Sequence, residues 1–305
     1  MVIKKQATQK VLQESKNQLI TTTMQSLSLP GDFVFRNHMV INREFEPLLK
    51  ENGLDDFAAI MKFDKGEVVK QKSKYRSTIH FYLTDKERKV SVYLKRYRFS
   101  LISEFVKNCF FFFRTYSAIH EWRNILEFNA SNLSTMTPIA VGIRRRIPLW
   151  NESFLLTQGI PHTKTLEQKL EDYFYPPLDR IRVQQKRLLI AKLATLTQKM
   201  HGEGFKHQDF YLCHILINFS IPDDPLLYVA DLHRVRRKKK NKKSWQIKDL
   251  AALNYSASPK LISRTDRLRF MKHYNPILAN DLLFLKKIVK KTAQIRGHEE
   301  KKGGN

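Results

Sequence analysis

The sequence predicts an α+β protein, with strands concentrated before residue 160 and helices after it. Residues 77–83 and 90–96 are β-prone runs rich in Val, Ile, Tyr and Phe, as expected of strands. From residue 180 onward, apolar residues recur at helical intervals of four, three and four. These are Leu189, Leu193, Leu196 and Met200. A length of 305 residues suffices for one large domain or two lobes around a cleft.

The composition is that of a folded, strongly basic protein. Hydrophobic residues make up 42% and aromatic residues 11% of the chain, which argues against disorder over most of its length. The 55 Lys and Arg exceed the 29 Asp and Glu by 26, so the formal net charge is +26. Such a surface attracts polyanions, namely nucleic acid, acidic lipid or a phosphorylated glycolipid.

Cysteine usage and hydropathy indicate a reducing compartment without a membrane span. Cys109 and Cys213 form neither a disulfide framework nor a metal-ligand spacing. The chain starts in polar sequence, so we expect no signal peptide. No segment reaches the roughly 18 apolar residues of a span. If a membrane is involved, we expect the protein to lie on its surface.

The N-terminal third is predicted to hold a leader, two short helices and a hairpin. Residues 1–31 are polar and lack periodicity, so we expect a mobile leader. A short helix is expected around 45–49, and Asp55 or Asp56 is expected to cap a second one. The hairpin comprises residues 67–70 and 77–83. Its basic link residues are Lys72, Lys74 and Arg76, which either contact phosphates or are simply solvated.

The strand over residues 90–96 ends in two cations, and a helix follows further on. Alternation along the strand places Lys95 on the face opposite Val90, Val92 and Leu94. This favours Lys95 over Arg96 as the functional cation. Residues 98–113 have the apolar spacing of a helix, used in a core or as an interfacial lid. A clear helix is predicted over 117–130.

Two acidic residues flank a predicted hairpin in the second half of the chain. Asp209 precedes the apolar run 215–217, and Asp231 ends the apolar run 226–230. A Pro-Asp-Asp-Pro turn at 222–225 joins the runs. The hairpin is therefore expected to carry one carboxylate near each outer end.

Phosphoryl transfer requires two such carboxylates. One orients the attacking hydroxyl, and the other holds the metal that bridges the nucleotide phosphates. In the protein-kinase signature a His-x-Asp loop has a metal ligand five residues later, and a second Asp opens the metal loop. His207-x-Asp209 matches the first part. His214 stands at the fifth position, and Asp231 opens the second motif.

His-x-Asp-x-Tyr-x-Cys-His from His207, followed by Asp-Leu-His-Arg from Asp231, resembles the lipopolysaccharide core heptose kinases of the Kdo/WaaP family. Arg-x-Thr at Arg76, Ala-x-x-Glu-Trp at Ala118 and Lys-Asp-Leu-Ala-Ala at Lys248 extend the resemblance. It covers about 33–274 and is strongest over 204–256. A lone His-x-Asp would indicate only a surface loop, whereas two motifs at kinase spacing are specific.

The resemblance implies a bilobal protein-kinase-like fold that binds ATP between its lobes. The small lobe, residues 32–160, would be β-rich with one key helix. The large lobe, residues 161–295, would be mostly helical, and 296–305 would form a loose C-terminus. The family phosphorylates a heptose hydroxyl of the lipopolysaccharide inner core at the cytoplasmic face of the inner membrane of Gram-negative bacteria.

The resemblance also implies roles for residues in the small lobe. Lys95 would hold the ATP phosphates, and Glu121 would orient Lys95 through an ion pair. The bend after the strand at 153–157 corresponds to the hinge that offers backbone groups to adenine. Gln158 and Ile160 are the candidates there.

Four large-lobe residues receive roles in the same way. Asp209 would orient or deprotonate the sugar hydroxyl. Asp231 would bind Mg²⁺, with His214 assisting the metal site. His207 would be structural.

A basic run follows the second motif. Since it lies directly beyond Asp231, we predict that it docks the anionic acceptor or the cytoplasmic membrane surface. The residues are Arg236, Arg237, Lys238, Lys239 and Lys240. Charge runs of this kind are often disordered tails.

Two other functions remain open. One is a kinase for another sugar, such as Kdo, or for protein, although a Gly-rich loop and Asp-Phe-Gly are missing. The other is a non-enzymatic, basic nucleic-acid-binding protein. No nucleic-acid motif or zinc spacing supports the latter, so no specific nucleic acid is expected as a partner.

Overall fold

The computed structural model describes residues 32–36, 38–73, 76–100, 118–146, 150–238 and 243–303. The predicted leader, Lys239, Lys240 and residues 101–113 of the predicted insert helix lie outside these ranges. The chain divides into two compact units. Unit 1 contains residues 1–126 and 137–159, and unit 2 contains 127–136 and 160–305.

Unit 1 is built on an antiparallel seven-stranded sheet with the order β1-β2-β6-β7-β5-β4-β3. The strands are β1 Phe33–Arg36, β2 Met39–Asn42, β3 Glu67–Ser73, β4 Arg76–Thr84, β5 Lys89–Ser100, β6 Pro138–Arg146 and β7 Trp150–Gln158. β5 pairs on one side with β4 and on the other with β7. The predicted hairpin at 67–83 is confirmed as β3 and β4.

The predicted helix over 98–113 is wrong in its first three residues. β5 continues to Ser100, and its last two residues pair with Asn151 and Trp150 of β7. The backbone hydrogen bonds of this long antiparallel ladder outweigh the local helical spacing of apolar residues.

Three helices accompany the sheet in the described part of unit 1. They are α1 Glu46–Glu51, α2 Phe57–Lys62 and α3 Ala118–Ala130. The Asp56 carboxylate accepts hydrogen bonds from the backbone N–H of Ala58 and Ala59, so Asp56 is the predicted N-cap of α2. The core is apolar and includes Phe45, Leu49, Ile60, Leu94 and Phe154, each at most 2% exposed.

Unit 2 is mostly helical. Its helices are α4 Leu166–Tyr173, α5 Arg180–Gly202, α6 Lys243–Ser256, α7 Arg264–Tyr274, α8 Pro276–Ala279 and α9 Leu282–Gly303. Its short strands are β8 Thr163–Thr165, β9 Phe205–Lys206, β10 Ile215–Asn218, β11 Leu226–Val229 and β12 Arg236–Arg237. β10 and β11 form the predicted hairpin, with Ile215 opposite Val229.

The chain enters this hairpin through a tight reversal at Gly204. Gly204 has φ +82°, and a Cβ there would lie 2.1 Å from the Lys238 carbonyl oxygen. Only glycine accepts that conformation and that approach. β9 then pairs with β12, with Lys206 opposite Arg236. The reversal therefore fixes the basic run beside the start of the loop that carries Asp209.

The C-terminal end differs from the sequence prediction. Residues 296–303 continue helix α9 instead of forming a loose end. Ile295 packs against the apolar cluster of unit 2, and Thr292 donates a hydrogen bond to the Ala251 carbonyl of α6 at 3.4 Å. Lys and Glu in the final turns are good helix formers. Among the described helices, none combines the length and apolarity needed to cross a membrane.

Candidate active site

In unit 1 an ion pair joins Lys95 to Glu121. The Lys95 ammonium donates to Glu121 Oε1 at 2.6 Å. The Tyr97 hydroxyl donates to Glu121 Oε2 at 3.1 Å. The Glu121 side chain is fully buried, whereas that of Lys95 is 15% exposed. A buried carboxylate requires such partners, so Lys95 is held firmly by α3.

The geometry favours Lys95 over Arg96. The Arg96 guanidinium donates to the backbone carbonyl groups of Met61 and Phe63, at 3.1 and 2.5 Å. Arg96 therefore ties β5 to the end of α2. Of these two cations, it is Lys95 that contacts Glu121. Strand alternation favoured the same residue.

The predicted hinge residues Gln158 and Ile160 lie at the end of β7 and just after it. The Gln158 N–H donates to the Thr137 carbonyl at 2.9 Å. The Ile160 carbonyl accepts from the Thr163 hydroxyl at 2.8 Å. The Gly159 N–H donates to the Ser91 carbonyl at 2.8 Å. An adenine-binding role for the two residues stays a prediction.

In unit 2, Asp209 lies in a half-buried loop and is held by an arginine. Arg234 Nη1 donates to Asp209 Oδ1 at 2.6 Å, and the Asp209 side chain is 17% exposed. The backbone carbonyl of Asp209 accepts from His214 Nδ1 at 2.7 Å. The carboxylate therefore has a fixed position and retains acceptor capacity on its second oxygen.

His207 lies inside the loop of Asp209, and its structural role stays a prediction. Its ring is buried, and its Nε2 lies 3.0 Å from the Ala230 carbonyl oxygen, which can only accept. Nδ1 is thus the acceptor for the Asp209 N–H at 3.3 Å. Burial lowers the pKa of His207, which favours this neutral tautomer. The ring links the loop of Asp209 to the end of β11.

Asp249 on α6 braces the loop that carries Asp209. Its carboxylate accepts from the backbone N–H of His207 at 2.7 Å and of Gln208 at 2.9 Å. His201 Nε2 lies 3.4 Å from the same carboxylate, and Tyr274 contacts the other ring nitrogen of His201 at 2.8 Å. These bonds hold Gln208 at φ +73°, a conformation that side chains rarely adopt.

Asp231 is presented by a left-handed backbone conformation with φ +58°. Its Oδ1 accepts from His233 Nδ1 at 2.8 Å, and its Oδ2 lies 3.7 Å from His214 Nε2. Since His214 Nδ1 donates to the Asp209 carbonyl, Nε2 is an acceptor when the ring is neutral and a donor to Asp231 when the ring is protonated. With the neutral ring, two acceptors face each other at a spacing that a cation can bridge.

The basic run is only partly described. Arg236, Arg237 and Lys238 are exposed. Arg237 forms an ion pair with Glu203 at 3.0 Å. The Lys238 ammonium lies 5.2 Å from the centre of the Trp245 ring. Docking by these residues stays a prediction.

Arg234 and Asp249 shape the site, yet the sequence alone predicts a role for neither. Asp249 lies in a motif that extends the family resemblance, and Arg234 is the last residue of the second motif. In a single sequence, an acidic residue on the buried face of a helix has the same pattern as one on the exposed face. The position of Asp249 inside the Lys-Asp-Leu-Ala-Ala motif was the available signal.

Comparisons with known proteins identify relatives of this chain. The model of the lipopolysaccharide kinase (Kdo/WaaP) family matches residues 61–274. The lipopolysaccharide core heptose(I) kinase WaaP of Escherichia coli (strain K12) is 33% identical over 253 residues, which cover 82% of this chain and 92% of the relative. WaaP of Pseudomonas aeruginosa is 37% identical over 161 residues, covering 52% of this chain and 59% of the relative.

A solved structure is similar as well. WaaP in complex with acyl carrier protein shares 28% sequence identity and a TM-score of 0.64 with this chain. The alignment covers 85% of this chain and 99% of that one, which confirms the predicted kinase-like fold. The family match over most of the chain and the near-complete alignment to a relative lead to one conclusion. The chain belongs to the lipopolysaccharide kinase (Kdo/WaaP) family.

Proposed function

We propose that the protein transfers the γ-phosphoryl group of ATP to a heptose hydroxyl of the lipopolysaccharide core. The observation that carries this proposal is the position of His214 between the two acidic loops. Its Nδ1 lies 2.7 Å from the Asp209 carbonyl oxygen, and its Nε2 lies 3.7 Å from the Asp231 carboxylate. One ring therefore lies between the backbone of Asp209 and the carboxylate of Asp231, the two acidic residues that phosphoryl transfer needs.

In this proposal Asp209 accepts the hydrogen bond of the sugar hydroxyl and orients its oxygen for attack. The proton passes to Asp209 late, because the transition state is loose. Arg234 holds Oδ1 at 2.6 Å, so Oδ2 is the oxygen left for the hydroxyl. Arg234 is a positioning residue in this scheme.

The residues present fit a divalent cation that is bound mainly through nucleotide phosphates. Asp231 offers a carboxylate, the ligand type that Mg²⁺ prefers, whereas the imidazole of His214 is a poorer ligand. The described residues contain no cluster of three His, Cys, Asp or Glu suited to hold a metal. When bound, Mg²⁺ would neutralise developing charge on the phosphates. Asp231 would hold it, assisted by His214.

The nucleotide phosphates are assigned to Lys95, which Glu121 positions. A lysine held by a buried carboxylate presents its remaining donors in a fixed direction. Gln158 and Ile160 are proposed to contact adenine through their backbones. The residues proposed to act in ATP binding are therefore Lys95, Glu121, Gln158 and Ile160.

The proposed site of action is the inner face of the inner membrane, with the protein bound at the surface. The net charge of +26 supports attraction to anionic glycolipid and acidic phospholipid. The neighbour solved with acyl carrier protein supports a further proposed partner of that kind for this chain. A kinase for Kdo or for protein would be recognised because Kdo or protein would gain the phosphate. A nucleic-acid-binding protein would be recognised because it would bind DNA without ATP turnover.

Mass spectrometry of an acceptor tests the function directly. A lipopolysaccharide truncated to the unphosphorylated inner core would be incubated with protein, ATP and magnesium. We expect a gain of one phosphate, located on a heptose. ATP consumption without acceptor modification, or salt-dependent DNA binding without ATP turnover, would refute the proposal.

We expect replacement of the basic run by Gln to raise the acceptor KM at least about tenfold at low salt. The variant changes Arg236, Arg237, Lys238, Lys239 and Lys240. Each basic residue near an acidic surface contributes about 1 kcal/mol, screened by salt. The ATP KM should change little. Steady-state kinetics at about 20 and 300 mM salt, between which the Debye length shortens about fourfold, provide the measurement. Unaltered acceptor kinetics at low salt would exclude docking by this run.

We expect His214→Asn to retain partial activity, reduced about 10- to 100-fold. Asn supplies an amide oxygen, which Mg²⁺ prefers to an imidazole nitrogen. His214→Ala is the matched control and should lose more activity, since it offers no ligand atom. Magnesium titrations of both variants would give the comparison. Complete inactivity of a folded His214→Asn protein would contradict the proposed metal role.

A further inference from the structure

Four cations surround one side of the catalytic loop in unit 2. We call Lys206, Arg234, Arg236 and Lys248 the cation cluster. Lys206 and Arg236 are opposite each other in the β9–β12 pair. Lys248 adjoins Asp249, which holds the backbone of the loop, and Arg234 contacts Asp209 directly. The cluster therefore borders the proposed catalytic carboxylate.

The acidic groups near the cluster are already engaged. Asp209 pairs with Arg234, and Asp249 accepts two backbone N–H groups of the loop. Glu203 pairs with Arg237 outside the cluster. In the described part of the chain, no ion pair joins Lys206, Arg236 or Lys248 to a carboxylate. The cluster thus carries excess positive charge beside the site.

The lysines of the cluster are half-buried, and the cations repel one another. Burial lowers the pKa of Lys206, and Lys248, Arg236 and Arg234 lower it further against the opposing effect of Asp249. Burial also lowers the pKa of Lys248, with Arg234 as the next cause. Such an arrangement costs free energy in the absence of an anion. An anionic ligand would offset that cost.

Two further features indicate a built site. The Lys206 and Lys238 ammonium groups each lie 5.2 Å from the centre of the Trp245 ring, so the indole fixes both against α6. The Nε of Arg234 is buried and has no hydrogen-bond partner among the described residues. The Arg234 side chain as a whole is 29% exposed, so an anion can approach its guanidinium group from solvent.

We propose that the cation cluster binds an anionic group, carboxylate or phosphate, of the acceptor glycolipid and thereby places the sugar hydroxyl at Asp209. The inference rests on the proposed function. It assigns substrate positioning to Lys206 and Lys248, which lie outside the basic run. The shared chemistry is a compact oxyanion, which Lys and Arg bind by charge-assisted hydrogen bonds.

The test uses the full chain with Lys206→Gln and Lys248→Gln combined. Arg234 is left intact, because its loss would also release Asp209. We expect the KM for unphosphorylated inner-core lipopolysaccharide in detergent to rise about tenfold, as expected for loss of two charge-assisted contacts near a partly solvated surface. The ATP KM should stay within about twofold of the parent value, a smaller change than the loss of one charge-assisted contact would cause. Lys206→Arg with Lys248→Arg should restore most of the acceptor affinity.

A matched control removes the same charge elsewhere. Lys260→Gln with Lys272→Gln alters two exposed lysines and should leave the acceptor KM unchanged. A parent protein that fails to phosphorylate the acceptor would refute the proposed function itself. An active parent with an unchanged KM in the Lys206/Lys248 variant would overturn only the cluster. An equal effect in the control, or a selective rise in the ATP KM, would also overturn it.

Two acceptors distinguish the source of the anion. One is the intact truncated lipopolysaccharide, and the other is the same molecule after removal of its lipid A phosphates. A variant effect on both acceptors identifies a sugar carboxylate as the ligand, whereas an effect on the intact acceptor alone identifies a phosphate. Loss of binding to phosphatidylglycerol vesicles with unaltered acceptor kinetics in detergent would assign the cluster to the membrane and contradict the proposal.

Discussion

Replacing Asp209 by Asn is expected to lower kcat by about 10²–10⁴-fold while fold and ATP binding are retained. A sugar hydroxyl has a very high pKa and must be oriented toward the γ-phosphorus. Base catalysis of this kind contributes roughly 3–5 kcal/mol. Asn keeps the size of the side chain and can still accept from Arg234, which contacts Asp209 Oδ1. The variant therefore removes charge and basicity with little change in position.

Asp231→Asn is the matched comparison. It should lower activity and also weaken magnesium-dependent nucleotide binding, because an amide is a weaker ligand for a hard cation than a carboxylate. The measurements are phosphate transfer to the acceptor and nucleotide titration with and without magnesium. Turnover of Asp209→Asn within about threefold of the parent, far below the expected loss, would remove Asp209 from the role of base.

The hairpin and its two carboxylates could be predicted because their signal is local. Pro-Asp-Asp-Pro marks the turn, and apolar runs of three and five residues mark the strands. The register that follows, Ile215 opposite Val229, places Asp209 and Asp231 beyond the same end of the ladder. The spacing of the two motifs along the chain therefore predicts where the two acidic residues lie relative to the hairpin.

Arg234 and Asp249 could not be predicted in the same way, because their partners are distant in sequence. Asp249 contacts the backbone of residues 41 and 42 positions earlier, and Arg234 contacts a carboxylate 25 positions earlier. Only the packing of α6 against the loop shows that Asp249 is buried. A single sequence gives such a residue the same pattern as a solvated helical acid.

The two errors in secondary structure have the same origin. Apolar spacing over 98–113 predicts a helix, but the neighbouring strand β7 continues the ladder to Ser100. The C-terminal residues lack apolar periodicity, yet Ile295 anchors α9 through the last turns. In both places tertiary contacts decide what local propensity leaves open.

Removing the charge of Lys95 is expected to destabilise the protein by roughly 3–5 kcal/mol, because it leaves the buried carboxylate of Glu121 without its cation. Lys95→Met keeps the length of the side chain. Among the described residues, the Tyr97 hydroxyl at 3.1 Å would then remain as a partner of Glu121. Such a loss is a large part of the 5–15 kcal/mol that is typical of folded proteins.

The double variant Lys95→Met with Glu121→Gln separates stability from function. Gln removes the buried charge and its amide oxygen still accepts from Tyr97, so most of the stability should return. Activity should stay low in both variants, since the proposed phosphate contact needs the ammonium group. Denaturant unfolding can be followed through Trp122, which is buried beside Glu121 on α3. A double variant as unstable as Lys95→Met would show that the charge of Glu121 is not the cause, and a double variant with parental turnover would remove Lys95 from the nucleotide site.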